Sequence, residues 1–234
     1  QAIFRNFKKF YLMFNLYFVH GWGFEESFWF PVGKILEGKK KIRSINFISL
    51  NFFQSKKINS IPKSNNNIFV THSYGLNWFL DRKENCYALV NFFAAPSFVK
   101  FQKNSEKSKI ILDLMIKKLK DSPNEVLNKF YENCGLSNSL KIGVEKINKD
   151  KLVYALKDLR DNSNLEEFLR IKNKTLNIFA VRDKIFDVSL SKLKKFLGND
   201  FNYILIDSGS HAFPLLDPEK ASEIIYNYIV DRSL

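Results

Sequence analysis

The chain of 234 residues contains three histidines, and each stands beside a residue able to take part in chemistry. His20 precedes Gly21, His72 precedes Ser73, and His211 follows Gly209 and Ser210. Nucleophilic acyl transfer by serine needs a hydroxyl on a tight turn, an imidazole to take its proton, and a carboxylate to fix the imidazole's tautomer. Ser73, Asp183 and His211 supply these three types in the chain order Ser, Asp, His.

Ser73 follows an apolar stretch at 68–70 and precedes Gly75 and the helix-compatible run 76–80. A strand-turn-helix elbow of this kind lifts a serine hydroxyl from the sheet edge, and a small residue two places on relieves crowding. The motif reads T-H-S-Y-G, with Thr71 where such elbows commonly carry glycine. An ordinary serine in a strand-to-helix loop is the plainer alternative. His211 is expected on a loop between the last strand and the last helix, where it gains meaning only from its partners.

Three acids compete for the orienting role. Asp183 directly follows the apolar run 176–181, which favours it; Asp187 comes one turn later, and Asp207 is near His211 in sequence. A helix cap or turn aspartate is the structural role left for the others. An oxyanion needs backbone N–H donors, which Tyr74, after the serine, and Trp22, in the loop after the early strand, are placed to supply. Gly21 and Gly23 let that loop bend close to a substrate.

These residues need a scaffold. Apolar runs at 16–19, 42–50, 68–70, 86–93, 176–181 and 203–206 predict strands, and residues 218–230 predict a closing amphipathic helix. Alternation of strands and helices implies an α/β protein with a mostly parallel sheet covered on both faces. Residues 97–170 carry helical periodicity instead, as in Ile110-Ile111-Leu114-Met115-Leu119 and Val126-Leu127-Phe130-Tyr131. They are expected to form a helical cap inserted into a core made of 1–96 and 171–234. Residues 59–67 are expected to be a polar loop.

With 45% hydrophobic and 26% charged residues the composition is that of a globular protein. The net charge of +13 attracts polyanions, although abundant Lys, Asn, Ile and Phe also reflect a compositional bias. Cys86 and Cys134 lie far apart and form no CxxC pair, so no zinc site or disulfide framework is expected and a cytoplasmic setting fits. Arg5, Lys8 and Lys9 before the apolar run 10–19 imitate a secretion signal, but that run leads directly into His20-Gly21 and is expected to be a buried strand. No segment approaches the ~20 apolar residues of a membrane span.

Taken together, F-V-H-G-W-G-F-E-E-S-F-W at 18–29, the Ser73 elbow, A-A-P-S-F at 94–98, L-K-D-L-R-D-N at 156–162, the Asp183 loop and G-S-H-A-F-P at 209–214 resemble the α/β-hydrolase superfamily. The H-G-W-G start and the L-x-D-L-R stretch are most similar to the biotin-synthesis carboxylesterases that cleave pimeloyl-[acyl-carrier protein] methyl ester. The resemblance implies an α/β-hydrolase fold and a serine esterase needing neither cofactor nor metal. It also implies an oxyanion hole at Trp22 and Tyr74, and substrate contacts from Trp22, Phe130, Tyr131, Glu132, Asn133 and Cys134. It implies as well an acidic acyl carrier protein docking on a cap rich in lysine, at Lys100, Lys103, Lys107, Lys109, Lys117, Lys118, Lys120 and Lys129. Little sequence precedes the first glycine loop, so the N-terminal strands of that fold are expected to be reduced or absent. A broad short-chain carboxylesterase, or a non-catalytic polyanion-binding module on the same fold, are the rival expectations; nucleic acid is not an expected partner.

Overall fold

The computed structural model describes residues 12–53, 60–137 and 146–232. Six parallel strands form one sheet: β1 (Phe14–Val19), β2 (Ile42–Ile48), β3 (Asn67–His72), β4 (Ala88–Phe92), β5 (Thr175–Ala180) and β6 (Tyr203–Ile206), in the order β2-β1-β3-β4-β5-β6. The strands are the predicted apolar runs, and β3, β4 and β5 are buried along their whole length. Residues buried on both faces of a sheet must be covered on both, which the intervening helices achieve. Residues 1–11, where the N-terminal strands of the α/β-hydrolase fold are expected to be reduced or absent, and with them Arg5, Lys8 and Lys9, lie outside the described residues.

The chain runs outward from β1 to β2, then crosses back over β1 to start β3. The strand order therefore reverses between β1 and β3, and at such a switch point the loops leaving the carboxyl ends of the strands diverge and open a crevice. Trp22 leaves β1 there and Ser73 leaves β3 there. Helix α1 (Phe30–Leu36) links β1 to β2, and α2 (Gly75–Arg82) follows β3.

Between β4 and β5 lie α3 (Ser105–Leu119), α4 (Pro123–Asn133), α5 (Lys149–Asp161) and α6 (Leu165–Ile171), with no strand among the described residues of this stretch. Asn104 and Asn148 cap α3 and α5 by accepting the Lys107 and Lys151 N–H groups. α3 packs on α4 and α5. The apolar stripe that marks α3 in sequence is only partly its buried face: Ile110, Ile111 and Leu114 are 45–61% exposed, whereas Leu119 of the stripe and Leu112 outside it are buried. The helix lies along an open cleft, and one side of its stripe faces that space rather than the core. The chain ends with α7 (Leu190–Leu197), the short α8 (Phe213–Leu216) and α9 (Pro218–Asp231), the last capped by Asp217. Among the described residues no helix is long and apolar enough to cross a membrane.

The sheet also buries asparagines, a residue type strands usually avoid. Thr71 Oγ1 donates to Asn91 Oδ1 (3.2 Å), Asn91 Nδ2 donates to Asn177 Oδ1 (3.0 Å) and to the Ala94 carbonyl (2.8 Å), and Asn177 Nδ2 donates to the Asn202 carbonyl (3.0 Å). This chain of bonds stitches β3, β4 and β5 together and leaves no amide in it unsatisfied, which is the condition for burying polar groups without a large cost.

Candidate active site

Ser73 sits in the left-handed region at φ +52°, immediately after β3, and its N–H donates to the Phe92 carbonyl at 2.9 Å. A residue with a Cβ resists this conformation by about 1–3 kcal/mol, so the surrounding structure must hold it there. Gly75 shows how. A Cβ on Gly75 would lie 2.7 Å from the Val19 carbonyl oxygen and 2.9 Å from that of His20, so glycine is what lets the elbow press against the end of β1.

Asp183 follows β5, and its carboxylate is fully used. Oδ2 accepts from His211 Nδ1 at 2.7 Å, while Oδ1 accepts the Ile185 and Phe186 N–H groups at 2.8 and 3.0 Å. Both side chains are removed from solvent. A carboxylate can only accept, so the hydrogen lies on Nδ1 and the lone pair of a neutral His211 lies on Nε2. Nε2 is buried and has no hydrogen-bond partner among the described residues. Of the competing acids, Asp187 pairs with Lys103 at 2.7 Å and Asp207 is exposed.

His211 is brought beside the elbow by the residue next to Ser73. His72 Nε2 donates to the His211 carbonyl at 2.8 Å, and the two imidazole rings are 4.8 Å apart. The following amide, of Ala212, donates to the Cys134 carbonyl at 3.1 Å, tying the same loop to the end of α4.

The third histidine shapes the loop after β1. The Leu50 N–H donates to His20 Nε2 at 3.0 Å, which leaves the hydrogen on Nδ1, and Nδ1 donates to the Gly21 carbonyl at 2.9 Å. Burial pushes this imidazole down to about 4, so it stays neutral. With the loop so held, the Trp22 indole donates to the Leu152 carbonyl at 2.9 Å and meets Phe130 edge to face at 4.8 Å. Among the described residues, neither the Trp22 nor the Tyr74 N–H is used in a hydrogen bond.

Ser73, Trp22 and Asp183 line a cleft of about 1360 Å³, roofed by α3 and α4 through Leu112, Met115 and Val126. Of the residues expected to contact substrate, Trp22, Phe130, Glu132 and Asn133 line it. Tyr131 and Cys134 do not. The Tyr131 hydroxyl donates to the Gly23 carbonyl at 2.5 Å, holding α4 to the glycine loop, and Cys134 is completely buried. Burial first, and the nearby Asp183 second, push the Cys134 thiol up, so it is no rival nucleophile. Among the described residues no group of three or more His, Cys, Asp or Glu side chains is placed to hold a metal ion.

Sequence reasoning missed the roles of His20 and His72, and it missed Asp158. This buried carboxylate on α5 accepts from Asn77 Nδ2 on α2 at 3.0 Å and from Asn162, fastening the helical layer to the elbow helix. The L-x-D-L-R pattern around it was the available signal.

No protein-family model matches the sequence, and none of the curated proteins matches it. Solved structures do match in fold. An esterase from Exiguobacterium antarcticum superposes with a TM-score of 0.71 at 16% identity, covering 92% of this chain and 91% of that one. A bromoperoxidase from Bacillus anthracis gives 0.71 at 12% identity, covering 93% and 92%. MenH from S. aureus gives 0.66 at 14% identity, covering 94% and 95%. The chain has the α/β-hydrolase fold.

Proposed function

We propose that this protein is a serine carboxylesterase with Ser73 as nucleophile, His211 as general base and Asp183 as the acid that orients it. One observation carries the proposal: a buried Asp183–His211 pair leaves a bare ring nitrogen on a loop whose backbone is bonded to His72, the residue preceding a serine held at φ +52° just after the switch-point strand. The fold alone does not choose the reaction, since the structural neighbours include a bromoperoxidase and an epoxide hydrolase as well as esterases. The side chains at the site support acyl transfer to serine.

In the acylation step Ser73 Oγ bonds to the ester carbonyl carbon while His211 Nε2 takes the hydroxyl proton. The free N–H groups of Trp22 and Tyr74 hold the resulting oxyanion. Collapse expels the alkoxide, which receives the proton from His211, and water then repeats the sequence to release the acid and Ser73. Asp183 stabilises the imidazolium that exists between the two transfers.

Residues 97–170 then serve as a cap over the cleft, and its apolar roof suits an acyl chain. The finer proposal is an ester carried on an acidic acyl carrier protein, as in pimeloyl-[acyl-carrier protein] methyl ester of biotin synthesis. Not every cap lysine is available to such a partner. Lys103, Lys118 and Lys129 are paired with Asp187, Glu125 and Glu132, and Lys100 lies 3.6 Å over the Phe196 ring. Lys107, Lys109, Lys117 and Lys120 have no carboxylate within 4 Å among the described residues and form the free positive set. A cytoplasmic setting is part of the proposal, supported by two cysteines that are free and buried.

The test is turnover of p-nitrophenyl esters of increasing chain length beside a carrier-protein-linked methyl ester, with Ser73→Ala as control. Preference for the carrier-linked ester, with rescue of a biotin auxotroph lacking the pimeloyl ester esterase, supports the finer proposal. Good activity on short simple esters without rescue favours a broad esterase. A folded protein inactive on all of them refutes both.

A further inference from the structure

We propose that His72 is a positioning residue for the base, its Nε2–H holding the main-chain carbonyl of His211 so that the His211 ring stays beside the elbow. This rests on the assignment of Ser73 and His211 made above. The bond, at 2.8 Å, joins the residue preceding the nucleophile to the backbone of a residue 139 positions later. Asp183 fixes the rotation and tautomer of the His211 ring, but a ring can be correctly rotated and still be carried away by its own backbone. The His72 bond removes that freedom at its source.

Three features make His72 a fixed donor rather than a generic core side chain. A carbonyl only accepts, so Nε2 must carry the hydrogen. Nδ1 is then bare, and it is buried without a partner among the described residues. Burial, with the neighbouring His211 and His20 adding to it, pushes this imidazole well below its ordinary range, so the ring stays neutral while His211 cycles through its charged form. The ring is also boxed in: it stacks on Phe28 at 4.5 Å and meets the edges of Phe24, Trp29 and Phe93.

Gly21 completes the box. A Cβ there would lie 2.6 Å from His72 Nδ1 and 2.9 Å from the Ser73 Cβ, so the oxyanion loop, the elbow and the base loop all meet at this one imidazole. Groups whose supporting contacts are rigid keep the sub-ångström placement that proton transfer requires, and a misplacement of about 1 Å costs about 10²-fold.

The test compares three substitutions. Glutamine places an amide donor where Nε2 lies; asparagine places one nearer Nδ1; leucine has no donor. With p-nitrophenyl butyrate, His72→Leu and His72→Asn are expected to lose about 10- to 100-fold in kcat with KM nearly unchanged, and His72→Gln to stay within about threefold of the native enzyme. The low-field proton resonance of His211 Nδ1–H provides a reading independent of turnover: sharp in the native protein and His72→Gln, exchange-broadened in the other two. Full kcat and an unchanged resonance in His72→Asn, or a loss in His72→Gln as large as in His72→Asn, overturns the inference, and this pair decides even if the leucine variant fails to fold. A native protein inert towards esters that nevertheless shows this resonance pattern keeps the positioning role and refutes the esterase.

Discussion

Replacement of Asp183 by asparagine separates geometry from tautomer, because the native bonds dictate how the new amide must sit. One carboxylate oxygen accepts two backbone N–H groups, from Ile185 and Phe186, and the other accepts His211 Nδ1. An amide has one oxygen, and it is drawn to the two N–H groups. Turning it over would leave both buried donors facing an NH2 group, at about 1–3 kcal/mol each. The orientation with Nδ2 towards His211 is therefore preferred by roughly 2–6 kcal/mol, a population ratio of about 30 or more. His211 must then accept at Nδ1 and carry its hydrogen on Nε2, where no lone pair remains for Ser73. Adding the lost stabilisation of the imidazolium, kcat for p-nitrophenyl butyrate should fall by about 10³- to 10⁴-fold with KM little changed. Urea unfolding of the same variant should show a loss of no more than about 3 kcal/mol, because both backbone donors keep an acceptor. A folded Asp183→Asn enzyme retaining more than a tenth of native kcat would refute this reasoning.

Three further outcomes follow from the same contacts. Gly21→Ala should destabilise the protein by about 1–3 kcal/mol in urea unfolding, since its Cβ meets His72 and Ser73 below 3.0 Å, and should reduce activity by more than its stability loss explains. Native stability should be full above about pH 6.5 and decline towards pH 4, because an unfolded His20 takes a proton near 6.5 while the native one does so only near 4. Its contribution is on the order of 3 kcal/mol and is lost as pH falls; unfolding curves unchanged between pH 7.5 and 4.5 would contradict it. Asp158→Ala should leave the Asn77 amide without its acceptor, cost about 1–3 kcal/mol, and speed proteolysis within residues 97–170 relative to the sheet.

The sheet was legible because its strands are continuous apolar runs, and a run such as 68–70 ending at Ser73 and Gly75 carries both the strand and the turn after it. Ser73, Asp183 and His211 could be nominated because each follows a recognisable strand, and the loops of a parallel sheet emerge at one edge. What was not legible depends on partners distant in sequence. Nothing local to His72 reveals that its acceptor is the carbonyl of His211, and nothing near Lys103 reveals Asp187. Periodicity located α3 correctly but not its buried side, since Ile111 and Leu114 border a cleft rather than the core. Tyr131 was nominated by position in a motif, whereas its hydroxyl is committed to Gly23.

The most direct measurement is labelling of the native protein with a fluorophosphonate, followed by mass mapping of the modified peptide. The expected result is one adduct per chain, on Ser73, absent in Ser73→Ala and formed far more slowly in His211→Ala. A folded native protein that takes up no label, or takes it up at a residue other than Ser73, would contradict the assignment of nucleophile and base.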